Sequence, residues 1–159
     1  MEKMSSDTVW SAWRAVPCPK KLLKAGASDA ESADIERWLS GKSLREIADD
    51  DGIESMVPFL ALSIEGCAWL LGAYLAWFAR LMETEGFGEI RTSFGLVHLS
   101  SFLGSRTGRE VIAELPEDAC ACIAVALRWI IEHRDALGVS SKVAIDLQDS
   151  LDDLEEIEL

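Results

Sequence analysis

Apolar residues recur at intervals of three and four along most of the chain, the period of a helix with one buried face. Val9, Trp10, Trp13 and Val16 make such a face over 6–16, and Pro17 and Pro19 end it. Ser28 and Glu31 have the spacing of a capping box. Ile35, Trp38 and Leu39 follow on one side, and Gly41 is a natural stop. Ser43 and Glu46 repeat the box ahead of Leu44, Ile47 and Ala48, and an Asp49-Asp50-Asp51-Gly52 turn comes next. The longest element is predicted over 64–83, with Ser63 as its N-cap. It carries no charge from Gly66 to Ala79, and its aromatic residues point in every direction, as in the central helix of a bundle. Gly66, Gly72, Ala73, Ala76 and Ala79 would let neighbouring helices come close.

The second half continues in the same style. Gly86-Phe87-Gly88 is a break. A helix over 92–103 has Phe94, Val97 and Ser101 on one side and Leu96, Leu99 and Leu103 on another. Residues 104–108 are expected to form a loop, and 109–114 one further helical turn. Leu115-Pro116-Glu117-Asp118 is a strong helix start, with proline at the first helical position and acids in the first turn. That helix runs through Ile123, Leu127, Ile130 and Ile131, and Gly138 ends it. A last helix over 141–156 repeats Leu147, Leu151 and Leu154. The alternation a half-buried strand requires is missing. The expected fold is all-α: one domain spanning 1–159, a bundle of six or seven helices around 64–83, with 116–137 packed against it. No internal repeat or second-domain linker interrupts it.

Charge sharpens this picture. The net charge is −13, which disfavours a protein that tracks nucleic-acid phosphates and suits a basic partner. The charge is uneven. Residues 1–27, the predicted N-terminal helix and connector, carry +3. Residues 146–159 supply −7 through Asp146, Asp149, Asp152, Asp153, Glu155, Glu156 and Glu158. The uncharged stretch of 64–83, bracketed by Glu65 and Arg80, is shorter than the roughly 20 residues a membrane span needs. The N-terminus does not read as a signal peptide, and Cys67 and Cys122 sit among apolar residues, so a reducing cytoplasm is the expected compartment.

Candidate chemistry is sparse. Cys120 and Cys122 are two apart, and on a helix they point to nearly opposite sides. His98 and His133 lack a ligand spacing, so neither metal nor cofactor is expected. No nucleophile–base signature is present. Gly104-Ser105-Arg106-Thr107-Gly108-Arg109 looks like an anion loop, with Arg106 and Arg109 as its charges. It lacks the Walker lysine pattern and a preceding strand, and the competing reading is a helix connection with solvated arginines.

Trp38, Gly41-Lys42-Ser43-Leu44, Pro58-Phe59-Leu60, Ser63-Ile64-Glu65-Gly66, Ala73-Tyr74-Leu75 and Leu115-Pro116-Glu117 together resemble a bacterial domain-of-unknown-function family of small all-helical proteins. The resemblance covers about 38–137. Leu71-Gly72 stands where the family has a proline, and Ala61 and Leu62 are inserted before Ser63. The resemblance implies a helical bacterial protein and carries no activity.

The leading expectation is an acidic protein-binding module, most concretely an immunity- or antitoxin-like protein that masks a basic bacterial effector. Its candidate contacts are Asp146, Asp149, Asp152, Asp153, Glu155 and Glu156, with Trp10 and Trp13 as aromatic anchors. The alternatives are an adaptor or secretion-chaperone-like protein using the first and last helices, and a ligand-binding or enzymatic bundle with a pocket near Tyr74, His98 and Arg106. The acids also have a plain reading as the solvated side of a terminal helix, and the tryptophans one as core.

Overall fold

A computed structural model describes residues 5–24, 26, 29–54, 58–84 and 94–158. The helices are α1 (Ser6–Trp13), α2 (Ala30–Leu39), α3 (Leu44–Asp49), α4 (Ile64–Thr84), α5 (Phe94–Gly104), α6 (Arg106–Ala113), α7 (Glu117–Glu132), α8 (Arg134–Leu137) and α9 (Ser141–Glu158), with a 3-10 turn at Asp51–Glu54. Among the described residues seven of these have eight residues or more, and no strand is present. The architecture is an all-α bundle, as the periodicity predicts.

The helix α4 is its axis. It packs against α1, α3, α6 and α7, while α9 lies across α5 and α7. From Leu70 to Ala79 every residue of α4 is buried. This explains the missing polar face: neighbours surround the helix, so no side of it meets water. No helix among the described residues is long and apolar enough to cross a membrane.

The small residues of α4 are contact points. Trp13 lies flat on Gly72, where a Cβ would stand 2.5 Å from the indole ring, and its Nε1–H donates to the Ala68 carbonyl at 2.9 Å. Near the start of α4, a Cβ on Gly66 would stand 2.6 Å from the Leu22 carbonyl oxygen. Aromatic rings fill the space above, with Phe59 stacked on Phe102 at 4.1 Å and tilted against Tyr74 at 5.0 Å. Such pairs add about 0.5–1.5 kcal/mol beyond the area they bury.

Several helix ends match their sequence signals and others move by a residue. Ser43 and Glu46 form the reciprocal box, and Gly41 and Gly138 take the left-handed conformation that ends α2 and α8. Ser63 caps α4, accepting from the Gly66 N–H at 3.0 Å. Ser28 lies outside the described residues, and Asp29 is the N-cap of α2, accepting from the Ser32 N–H at 2.7 Å. Pro116 sits in the capping position, one residue before the helix. The helix predicted to reach 137 breaks at His133, whose Nδ1 lies 2.8 Å from the Trp129 carbonyl. The Gly86-Phe87-Gly88 break and the start of the helix at Thr92 lie outside the described residues.

The largest departure concerns 104–108. No loop forms there. Ser105 alone separates α5 from α6, accepting from the Gly108 N–H at 3.0 Å and donating to the Phe102 carbonyl at 2.6 Å. Glycine is required at 108 because any Cβ would collide with the backbone of Phe102.

Candidate functional site

The acidic residues near the C-terminus belong to α9, and α9 is part of the core. Leu147, Ser150, Leu151 and Leu154 are buried, at the three- and four-residue spacing of one helical face. The Ser150 hydroxyl donates to the Leu103 carbonyl at 2.8 Å, tying α9 to α5. A helix seated this way must turn its other positions outward, and the acids occupy them.

Three positions form the outermost ridge: Asp149, Asp152 and Glu156, spaced three and four residues apart and all exposed. Ile145 is 63% exposed and continues the ridge toward the start of the helix. The acids on the flanks have partners. On one side Arg109 donates to Asp153 from Nε at 3.0 Å and from Nη2 at 2.6 Å. The carboxylate holds the Arg109 guanidinium above its usual pKa, and Asp149 and Asp146 add to the effect. On the other side Arg128 stands 3.7 Å from Glu155. The ridge carries no such counterion among the described residues; Asp152 accepts from the Gln148 amide at 3.0 Å. Asp146 is half-buried beside Gly104. A groove of about 350 Å³ runs between α6 and α9, with Ile112 and Leu154 in its floor and Arg109, Asp153 and Glu156 at its edge.

Two expectations about cations and anchors need correction. Arg106 and Arg109 do not form an anion loop: both lie on α6, Arg109 is committed to Asp153, and Arg106 reaches Glu110 at 3.5 Å. The glycines that suggested a loop serve close helix packing instead. Trp13 is not an anchor for a partner, because it is only 3% exposed and belongs to the core. Trp10 keeps part of its surface, under the Arg45 guanidinium at 5.4 Å from the ring centre.

Tyr74 and Arg106, expected near His98 at one pocket, do not share a surface. Tyr74 is fully buried, whereas the Arg106 side chain is 95% exposed. Cys67 and Cys122 are reduced and buried, and burial pushes their thiols up to about 12 and about 11, so neither is a thiolate at neutral pH. Among the described residues no group of three or more His, Cys, Asp or Glu side chains is placed to hold a metal ion.

One feature of the surface is absent from the sequence expectations. Residues 18–24, expected as a short basic connector or a helical turn, line a cleft of about 710 Å³ together with the end of α2 and Trp69 of α4. The signal available in the sequence was the run from Thr8 to Ser28, which holds Arg14, Lys20, Lys21 and Lys24 and no acid.

No protein-family model, characterised protein or solved structure matches this chain. What the chain does is therefore read from its own geometry.

Proposed function

We propose that this chain is a small protein-binding module whose acidic ridge docks on a basic protein. In its most concrete form it is an immunity- or antitoxin-like protein that masks a basic bacterial effector in the cytoplasm. The carrying observation is the ridge of Asp149, Asp152 and Glu156 on a helix whose opposite face is seated in the core. Charges held on a rigid element steer a partner of opposite sign and fix its orientation, with little left to order on binding. The flanking arginines pair with Asp153 and Glu155 and make no ion pair with the ridge. The exposed Ile145 adds an apolar contact beside it. The four cysteines are free thiols, in keeping with a reducing compartment.

The ridge can be reversed without touching the core. The D149K/D152K/E156K variant keeps Leu147, Leu151 and Leu154 and should retain a helical circular-dichroism spectrum. Co-expressed with the toxic product of an adjacent gene, the wild type restores growth and the variant does not. Equal rescue by the two forms, or rescue by neither, overturns the reading.

A further inference from the structure

The basic cleft is built differently from the acidic ridge, and the two share no residue. Its wall is the connector, which is pinned through its backbone. The Ser63 N–H donates to the Leu22 carbonyl at 2.8 Å, and the Lys24 N–H donates to the Ala61 carbonyl at 2.9 Å. Leu23 pairs with Leu62 in an isolated antiparallel bridge, and the Ser63 hydroxyl donates to the Lys21 carbonyl at 3.1 Å. These bonds use backbone groups and leave the side chains of Lys20, Lys21 and Lys24 exposed around the cleft. The floor is apolar, with the buried Leu39 and Trp69 and the half-buried Leu22.

The charge balance favours an anion. Lys42 also lines the cleft but is taken by Asp50, at 2.7 Å. Glu36 is the acid on the lining, and Asp29 lies close enough to feel Lys24. Three lysines thus face one lining acid in a protein whose net charge is −13. The volume falls within the roughly 300–1,000 Å³ of small-molecule pockets. A protein partner would need a broad surface of about 800 Å² per side instead of a concavity of this size.

We propose that this cleft binds a small amphipathic anion, with an apolar body seated on Leu39 and Trp69 and a phosphate or carboxylate held by Lys20, Lys21 and Lys24. The head group can arrive on a free amphiphile or on a membrane lipid, and the two sources are separable.

The experiment titrates the full chain with decyl phosphate by calorimetry. Decanol and inorganic phosphate serve as the two half-ligands. Sedimentation with phosphatidylcholine vesicles containing phosphatidylglycerol supplies the membrane arm. The expected result is saturable binding of decyl phosphate at one site, with each half-ligand weaker by about tenfold or more. The K20Q/K21Q/K24Q variant, whose substitutions all lie on exposed side chains, should keep its thermal unfolding midpoint and lose about tenfold or more in affinity. Co-sedimentation that the same variant loses, without binding of the free amphiphile, assigns the head group to a membrane lipid. Unchanged affinity in the variant overturns the proposal, as does the absence of binding in both arms. Self-association of the wild type that the variant loses, with no amphiphile bound, makes the cleft an interface between copies and overturns it equally.

Discussion

The acidic helix α9 and the basic connector 18–24 carry opposite charge, and the backbone displays that charge by different means. In α9 the helical period sorts the side chains: leucines inward, Asp149, Asp152 and Glu156 outward, Asp153 and Glu155 against arginines on the flanks. The connector has no such period. Its lysines are placed by contacts with residues far along the chain, at Ala61, Leu62 and Ser63. Charge on a helix can therefore be located from the sequence. Charge on an extended segment waits for the partner that the segment pairs with.

The strongest way to break this contrast is to attack the claim that α9 is core. L147A should destabilise the protein by about 2–5 kcal/mol, the usual cost of emptying a fully buried leucine site. Urea unfolding would measure it. A loss below 1 kcal/mol would make α9 a detachable tail. The same seating predicts that truncation at Asp146 abolishes folding, so partner binding has to be tested by charge reversal.

On the connector side, G66A puts a methyl group against the Leu22 carbonyl and should cost about 1–3 kcal/mol. Hydrogen exchange at the Lys24 amide should speed up more than exchange in the middle of α4, because the Lys24–Ala61 bond lies in the displaced segment. Uniform acceleration across the chain would show that the connector is not pinned locally.

Acid pH probes the edge of the cleft through Asp50, the partner of Lys42. Asp50 is held down to about 2, first by its hydrogen bond with Lys42 and then by the Gly52 N–H. A depressed carboxylate stabilises the fold above its ordinary pKa near 3.8, and that stability fades as the pH falls toward about 2. D50N should flatten this part of the pH profile of the unfolding midpoint. It should also release Lys42 toward the cleft and tighten decyl phosphate binding. An unaltered acid profile would place the stabilisation elsewhere.

The smallest effect is expected at the flank of α9. R109A should leave the unfolding midpoint almost unchanged, since the pair with Asp153 is half-exposed and screened by salt. It should also make partner association faster, because the acid it uncovers joins the ridge. Slower association would mean that Arg109 contacts the partner itself.

Much of the fold was legible before any tertiary contact was considered. The capping box at Ser43, the stops at Gly41 and Gly138, the cap at Ser63 and the apolar α4 are local or periodic signals, and each reports on its own few turns. The outward ridge of α9 is legible for the same reason, since three leucines define its inner face. Two misreadings came from residues whose role depends on a distant neighbour. Glycines at 104 and 108 suit a loop or a close helix joint equally well until Phe102 and Asp146 are seen against them. A tryptophan at 13 suits a core or an interface until Gly72 and Ala68 are found beneath it.

The sequence by itself determined most of the helical segments, though not the close joint at 104–108, and it determined which helix is central and which side of the last helix is acidic. Those properties follow from spacing within a few turns of one chain segment. Only the tertiary structure decided that Arg109 neutralises Asp153, that Trp13 closes onto α4, and that the lysines of 18–24 surround a cleft. Each of these joins residues more than 40 positions apart, or a segment with no period of its own, and packing alone selects which faces meet.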